Sequence, residues 1–243
     1  MYSVGKTDIG QIRKINQDYY INLQYSNIAV VGVADGLGGH KAGEVASSSC
    51  GVIIKDYFDK LNKNVRYEDI NKYDIERLIY GINNHIYNKS IDIEDYSGMG
   101  TTLTLCVASN EKAIIYHVGD SRAYLVNENV IQITKDHSLI QCLIDSGEIS
   151  KKDAQSHPNK HVITRAIGTN KDVIIDKTEI SLKTNDVILI CSDGLTNTIS
   201  EDFMIEVISK YNDNLDKAVG ILINQANKNG GDDNITVVLF KSH

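Results

Sequence analysis

An apolar run that ends in an acidic residue and a glycine-rich stretch constrains the fold of this sequence more than any other feature. Residues 28–34 are long enough for one buried strand and too short for an ordinary helix. Asp35 follows at once, and Gly36, Gly38 and Gly39 allow the backbone to turn and to approach a ligand closely. Taken alone, an Asp-Gly pair after a strand predicts only a turn.

The same arrangement recurs along the chain, which changes the interpretation. Apolar runs at 116–118, 188–192 and 235–240 lie next to Asp120, to Asp193 and to the pair Asp232-Asp233, respectively. If the ends of these strands converge, their carboxylates form a set of oxygen ligands. Hard divalent cations such as Mg²⁺ and Mn²⁺ prefer ligands of this kind.

Length and charge limit the class of protein. A chain of 243 residues can bury one sizeable core, so we expect a single domain over residues 1–243. The net charge of −7 argues against a protein that binds nucleic acid or anionic membranes. The four cysteines lack the spacing of a zinc site or a disulfide framework. Without a signal-peptide pattern or an apolar stretch long enough to cross a bilayer, the sequence predicts a cytoplasmic protein with no membrane segment.

Hydrophobic periodicity predicts both strands and helices. Strand patterns lie at residues 2–7, 19–23, 28–34, 101–108, 113–118, 123–126, 130–134, 173–182, 187–191 and 235–240. Helical patterns lie at residues 44–61, 75–88, 139–146, 201–210 and 215–228. The apolar face predicted for the first helix consists of Val45, Ser49, Val52, Ile53 and Tyr57. Strands grouped between pairs of helices indicate an α+β fold in which one sheet packs on another and helices lie outside.

Residues 147–167 differ from the segments around them. This stretch is largely polar and contains Pro158, the only proline of the chain. Such a segment is typical of a surface insertion, and we call it the flap.

Six short motifs occur in one order along nearly the whole chain. They are R-x-x-N-x-D at residues 13–18, D-G-x-G-G-H at 35–40, G-T-T at 100–102, G-D-S-R at 119–122, S-D-G-L at 192–195 and D-D-N at 232–234. With these motifs the sequence resembles the metal-dependent Ser/Thr protein phosphatases, the protein phosphatase 2C family, in its compact bacterial form. Each motif alone has little specificity, but the ordered set also falls at the strand ends where ligands are expected.

The resemblance implies a four-layer α-β-β-α sandwich, in which two antiparallel sheets are flanked by helices and a metal cleft lies at one edge. It implies that Asp35 bridges two Mn²⁺ or Mg²⁺ ions and that the backbone carbonyl of Gly36 holds one of them. Asp193 and Asp233 would hold the other ion. Asp120, together with Asp193, would form a third and weaker metal site.

The resemblance also implies a reaction and roles for two further residues. Arg13 would bind the substrate phosphate, which suits its planar fork of donors, although an isolated arginine here would be interpreted as a solvated surface residue. Asp18 would accept a hydrogen bond from water held by the metals. The implied reaction is hydrolysis of phosphoserine and phosphothreonine by water activated between the cations. The substrates would be phosphoproteins made by a Ser/Thr protein kinase, and a monomer is the default state.

The group that protonates the leaving alkoxide stays open. Many relatives from higher organisms carry a histidine directly after the Asp-Gly pair, whereas this chain has Leu37. His40, His161 and a water on the metals are the candidates. The simpler interpretation of His40 is that it hydrogen-bonds its own loop, and that of His161 is an exposed residue beside the flap.

Other residues of the motifs receive structural interpretations. Thr101 and Thr102 are expected to pack beneath the site, and Ser121 and Arg122 to fix the turn of Asp120. Asn234 either orients Asp233 or caps a turn. The segment Asp136-His137-Ser138 resembles a family segment and has no assigned chemical role.

Two other functions compete with a phosphatase. A degenerate family member would bind phosphoproteins without cleaving them, but such a protein should have lost metal ligands. The candidate carboxylates that remain in place are Asp35, Asp120, Asp193 and Asp233. A two-metal nuclease is disfavoured by the acidic net charge and the lack of basic clusters.

Overall fold

Two antiparallel sheets lie face to face in the computed structural model, which describes residues 1–38, 42–61, 64–154 and 157–243. In chain order the strands are β1 (Tyr2–Asp8), β2 (Asp18–Gln24), β3 (Ala29–Leu37), β4 (Gly100–Thr101), β5 (Leu103–Ala108), β6 (Lys112–Val118), β7 (Arg122–Val126), β8 (Val130–Gln132), β9 (Asp176–Ser181), β10 (Val187–Cys191) and β11 (Ile235–Lys241). One sheet has the order β1-β11-β10-β7-β8. The other has the order β2-β3-β5-β6-β9, with β4 paired to the end of β3.

Helices cover the outer face of each sheet. In the described part of the chain they are α1 (Ala42–Asp59), α2 (Lys72–Asp92), α3 (Leu139–Asp145), α4 (Lys151–Ala154), α5 (Asp193–Thr196), α6 (Glu201–Lys210) and α7 (Leu215–Lys228). Side chains of α1 and α2 share a core with the sheet that contains β3, and those of α6 and α7 share one with the sheet that contains β11. The layers therefore follow the order helix, sheet, sheet, helix, which confirms the predicted α+β sandwich.

Strand β3 shows why its sequence is apolar throughout. Val30 and Ala34 pack toward α1 and α2, whereas Val31 and Val33 pack between the sheets with residues of β10 such as Ile190. Successive side chains of a strand point to opposite faces. Because both faces are covered, both sets of side chains must be apolar.

The predicted apolar face of α1 is correct only in part. Three of its members are partly buried and pack against the core: Val45, Ile53 and Tyr57. Val52 is instead 47% exposed, and the fully buried apolar positions are Ala46, Cys50, Ile54 and Phe58. Small residues bring this face close to the sheet. A Cβ atom at Gly51 would lie 2.2 Å from Cδ1 of Tyr19, so the ring of Tyr19 occupies the space that a side chain would need.

Strand β3 extends beyond its predicted end at Ala34, because it continues through Asp35 and Gly36 to Leu37. Gly36 pairs with Thr101 of β4. A Cβ atom at Gly36 would lie 2.2 Å from the carbonyl oxygen of Gly43 in α1, so glycine is required here for close packing. Within the described residues 35–38, the backbone first reaches the left-handed region at Gly38, where φ is +127°.

Sequence patterns predicted the two C-terminal helices, α6 and α7, but they did not predict the short helix α5 that precedes them. Helices α6 and α7 have the predicted bounds, and the Ser200 side chain accepts a hydrogen bond from the Phe203 N–H at the start of α6. The single turn α5 was not predicted, because Asp-Gly after a strand indicates a turn more often than a helix. Within the described residues, no helix has the length and apolar character that a membrane span requires.

The corrected face of α1 can be tested by a pair of substitutions. We expect Ile54→Ala to lower the free energy of unfolding by about 2–5 kcal/mol, because it opens a cavity in a closed core. Val52→Ala, two residues away and half exposed, should change it by less than about 0.5 kcal/mol. Urea unfolding of both variants measures this difference, and a larger loss for Val52→Ala would show that the helix is rotated.

Candidate metal centre

Two of the candidate acidic residues, one a metal ligand and one an acceptor for water, lie directly opposite each other on neighbouring strands. Asp18 of β2 is paired with Asp35 of β3 in the antiparallel register. Side chains at opposed positions share a face of the sheet, with Cβ atoms about 4.5–5.5 Å apart, and like charges there repel. The fold therefore forces two carboxylates together, which costs free energy unless a positive charge compensates.

The remaining candidate carboxylates come from strand ends of both sheets. Asp120 follows β6, Asp193 is the first residue of α5 directly after β10, and Asp233 precedes β11. Burial raises the pKa of Asp35 well above its ordinary value of 3.8, and the nearby charges raise it further. Those charges belong to Asp18, Asp193, Asp120 and Asp233. The structure thus brings all five predicted acidic residues into one electrostatically coupled group.

The individual pKa shifts follow from burial and from this crowding. Burial is the largest cause for Asp18 and for Asp120, and each pKa is raised to about 7. Hydrogen bonds from Thr236 and Ser192 oppose the shift at Asp18. Burial also raises the pKa of Asp193, with the charge of Asp233 acting in the same direction. Removing a carboxylate from water disfavours its charged form, so positive charge supplied nearby would help these groups to release their protons.

The carboxylates are grouped more loosely than the ligands of a bound ion. Across the described ranges, no three Asp, Glu, His or Cys side chains are arranged as a metal-coordinating cluster. Coulomb interactions extend well beyond a coordination bond of about 2.0–2.6 Å. The carboxylates can therefore shift one another's pKa values without lying close enough to share an ion. Three of the carboxylates have side-chain donors in the structure: Asp233 accepts from Arg13 at 2.8 Å, Asp193 from Asn197 at 3.1 Å and Asp18 from Ser192 at 2.7 Å.

Unpartnered oxygen atoms show that these residues fit a divalent metal. In the described part of the chain, the Oδ1 atoms of Asp18, Asp120 and Asp193 are buried without a hydrogen-bond partner. A buried acceptor without a partner is costly, and a carboxylate oxygen aimed into a pocket can be satisfied by a cation. Ligand sets made of oxygen alone favour Mg²⁺ or Mn²⁺ over softer metals.

Arg13 lies at the edge of this group and is half exposed. Its Nη2 donates to Asp233 Oδ2 at 2.8 Å, and 48% of its side-chain surface is accessible. Asn234 holds the loop that carries it: the Asn234 side chain accepts from Gln17 N–H and donates to the carbonyl oxygens of Ile9 and Ile15. Of the two roles left open for Asn234, the structure supports the first, because the backbone N–H of Asn234 donates to Asp233 Oδ1 at 2.8 Å. Its side chain has a further role that was not predicted, which is to anchor the Arg13 loop.

Hydroxyl groups support the carboxylates from behind. Ser192 Oγ donates to Asp18 Oδ2 at 2.7 Å and accepts from Thr236 N–H at 3.0 Å. Thr102 Oγ1 accepts from Asp35 N–H at 2.9 Å, and Thr101 Oγ1 donates to Asp35 O at 3.0 Å. The threonines were predicted only to pack, and the role of Ser192 was missed. The one sequence signal for Ser192 is its position beside Asp193 in a motif.

A family model described as protein phosphatase 2C matches residues 11–226 of the sequence. The chain belongs to the protein phosphatase 2C family. It is similar to the serine/threonine phosphatase stp of Listeria monocytogenes serotype 4b (strain F2365), with 39% identity over 243 residues, 99% of this chain and 96% of that protein.

Solved structures of other phosphatases have the same fold. The crystal structure of serine/threonine phosphatase Stp1 from Staphylococcus aureus superposes with a TM-score of 0.92 at 32% identity, over 99% of this chain and 94% of that one. The catalytic domain of the phosphatase PstP in complex with two manganese ions superposes with a TM-score of 0.82 at 30% identity, over 98% and 96% of the two chains. The predicted family and fold are confirmed.

In this protein phosphatase 2C chain, a cleft of about 750 Å³ extends from the carboxylates. Asp120 and Asp193 line it, together with residues of α3, of α4 and of the α5–α6 connection. His161 is exposed, and a positive charge there would oppose the burial that raises the pKa of Asp193. His40, the other histidine candidate, is outside the described residues.

The raised pKa values predict a pH dependence for the metal-free 2C phosphatase. Asp18 and Asp120 have folded-state pKa values of about 7 against an ordinary value of 3.8. Their stabilising contribution is therefore complete below about pH 4 and is lost as the pH rises through about 7. Each such carboxyl changes the free energy of unfolding by up to about 1.4 kcal/mol per pH unit. Urea unfolding in EDTA between about pH 5 and pH 8 measures this slope.

Asp120→Asn is the matched control, because an amide of the same shape does not titrate. Its slope should be smaller than that of the wild type. Mn²⁺ should stabilise the wild type more at about pH 8 than at about pH 5.5, because cations and protons compete for the same oxygens. Identical slopes in the two proteins, or a stabilisation by Mn²⁺ that is independent of pH, would contradict the burial of these carboxylates.

Proposed function

We propose that this chain is a divalent-metal-dependent phosphatase that hydrolyses phosphoserine and phosphothreonine in proteins. The observation that carries the proposal is the buried group of carboxylates with unpartnered oxygens beside the half-exposed Arg13. Family membership supports phosphatase chemistry. The names of the similar proteins from Listeria and Staphylococcus support serine and threonine as the residues that carry the phosphate.

The proposed metal ligands are those implied by the sequence. Asp35 and the Gly36 carbonyl would hold one Mn²⁺ or Mg²⁺ ion, Asp35 with Asp193 and Asp233 would hold a second, and Asp120 with Asp193 would offer a third site. When bound, the cations supply an activated water as nucleophile and positive charge for the phosphoryl oxygens. The manganese complex of the similar PstP domain supports two ions of this type.

The protein residues bind and orient the reactants. The Arg13 guanidinium donates to two phosphoryl oxygens, and its bond to Asp233 keeps it next to the reacting centre before substrate arrives. Asp18 uses one oxygen for Ser192, so its other oxygen can accept a hydrogen bond from the attacking water. Water attacks phosphorus, the bond from phosphorus to the Ser or Thr oxygen breaks, and that oxygen takes a proton. Among the described residues, His161 is the proposed donor of this proton.

The proposed setting is a kinase–phosphatase pair in the cytoplasm. Phosphoproteins made by a Ser/Thr protein kinase are the substrates, and the cleft beside Asp120 and Asp193 is open to a polypeptide segment. The cysteines are all thiols in the structure, which accords with a reducing compartment. All the carboxylates of the group come from one chain, so a monomer is sufficient for activity.

Metal removal tests the reaction. We expect the purified protein with Mn²⁺ to hydrolyse p-nitrophenyl phosphate and a phosphothreonine peptide, because the reaction needs cationic charge at the phosphoryl oxygens. EDTA should abolish both activities, and added Mn²⁺ should restore them. Hydrolysis that persists after thorough chelation would refute the metal-dependent mechanism.

Substitutions separate the metal ligands from the phosphate-binding residue. Asp35→Asn or Asp193→Asn should lower kcat by about a thousandfold or more, equivalent to ~4 kcal/mol of barrier, because a ligand charge is lost without a change in shape. Arg13→Ala should mainly raise KM, by about tenfold, because it removes a phosphate clamp. The matched control is Arg66→Ala, since Arg66 pairs on the surface with Asp69. Steady-state kinetics on the phosphopeptide measure both constants, and a wild-type kcat for Asp193→Asn would exclude it as a ligand.

A further inference from the structure

A buried histidine makes two hydrogen bonds to the residue before Asp120. His137 is 5% exposed and lies between β8 and α3. Its backbone N–H donates to Gly119 O at 2.7 Å, and its ring Nδ1 accepts from Gly119 N–H at 3.0 Å. Both backbone polar groups of Gly119 are therefore bonded to one residue, which fixes the position of the turn that follows.

The hydrogen bonds determine which ring nitrogen of His137 carries the proton. A backbone N–H only donates, so Nδ1 is unprotonated and the proton is on Nε2. Nε2 donates to Asp176 Oδ2 at 3.1 Å, and Asp176 Oδ1 accepts from Arg165 Nη1 at 2.6 Å. Burial lowers the pKa of His137, which keeps this neutral form populated. With both nitrogens engaged inside the protein, the ring cannot contact substrate.

The same residue joins the two ends of the segment that contains the flap. The carbonyl oxygen of His137 accepts from Thr164 N–H at 2.8 Å, and Leu139 N–H donates to Val162 O at 2.8 Å. A bridge between Ser138 and Ile163 lies between these bonds. His137 is thus the point at which the base of the flap contacts the Asp120 turn.

The Asp120 turn needs such support, because its backbone conformation at Gly119 is unfavourable and because nearby negative charges repel the Asp120 carboxylate. Gly119 has φ +117°, and a Cβ atom there would lie 2.6 Å from Thr102 Cβ. The Asp120 carboxylate is buried with an unpartnered Oδ1, and the charges of Asp193 and Asp136 act against it. Without a rigid backbone, repulsion would turn this side chain away from Asp193 toward the open cleft.

We propose that His137 is a positioning residue for Asp120, and that its ring holds the Gly119–Asp120 turn in the geometry that a divalent cation requires while coupling that turn to the base of the flap. This inference rests on the proposed function, since it concerns Asp120 as a metal ligand. Partners of this kind, one bond removed from a ligand, typically change metal affinity by about 10–100-fold.

The test compares substitutions that keep or remove the acceptor for Gly119. His137→Asn places an amide oxygen near the position of Nδ1, whereas His137→Leu has no acceptor. Mn²⁺ binding is measured without substrate, by calorimetry and by the electron paramagnetic resonance of free Mn²⁺. We expect His137→Leu and Asp120→Asn to weaken the lowest-affinity Mn²⁺ site by about tenfold or more and to leave the tight sites unchanged. His137→Asn should retain most of the affinity.

A double variant and a control separate positioning from general destabilisation. In His137→Leu/Asp120→Asn the losses should not add, because both act through one side chain. Asn83→Leu is the control: Asn83 is buried and makes hydrogen bonds to the backbone of Gly168, Asn170 and Lys171. It should lower the melting temperature without changing Mn²⁺ binding.

If His137→Leu does not fold, His137→Asn is compared with His137→Gln. The amide of the glutamine reaches the position of Nε2 instead of Nδ1, so the glutamine variant should lose the weak Mn²⁺ site.

Several results would overturn the proposal. One is that the losses of Mn²⁺ affinity add in the double variant, and another is that His137→Leu weakens Mn²⁺ binding no more than Asn83→Leu does. The proposal would also fail if the His137→Asn and His137→Gln variants bound Mn²⁺ equally well, or if the Asp120→Asn protein bound Mn²⁺ as the wild type does. Failure of the proposed function would give a different result from failure of this proposal. Mn²⁺ binding by the variants would then be as expected, but the wild-type protein would not hydrolyse the phosphopeptide.

Discussion

Mutual repulsion among buried carboxylates is the constraint on which this structure depends. The register of β2 and β3 places Asp18 opposite Asp35, and the ends of β10 and β11 bring Asp193 and Asp233 close enough for their charges to raise the pKa of Asp35. Such a group is unfavourable in a protein without bound cations, so the rest of the fold must supply the free energy that holds it. The core between the sheets and the covering helices do this, because they fix strand ends that cannot move apart without exposing apolar surface.

Hydrogen bonds across the sandwich then set the fine geometry. Ser192, at the end of one sheet, donates to Asp18 in the other, and Asn234 binds the backbone of the loop that carries Arg13. His137 performs the same function for the turn of Asp120. In each case a side chain that contacts neither metal nor substrate holds one that is proposed to do so. Pre-positioned groups need little rearrangement when the reaction begins, which is the main source of electrostatic catalysis.

The sequence was sufficient to predict the fold class and the membership of the carboxylate group. Strands such as β3 and helices such as α7 have strong periodic patterns, and acidic residues at strand ends are visible without a structure. The inward face of α1 was not predictable from hydrophobicity, because Gly43, Ser47 and Gly51 face the sheet. They carry little apolar surface, and they are placed there because the helix approaches β2 and β3 closely. The roles of His137 and Asn234 depend on partners far away in the chain, which no local pattern reveals.

The central claim is that these carboxylates are gathered in order to bind hard divalent cations. Anomalous diffraction from a crystal grown with Mn²⁺ tests it most directly. The account predicts at least two anomalous peaks in the pocket, with carboxylate oxygens of Asp35, Asp193 and Asp233 within about 2.0–2.6 Å of the ions. The claim would be contradicted if the pocket showed no peak and Asp233 and Asp193 kept their bonds to Arg13 and Asn197 in the presence of saturating Mn²⁺.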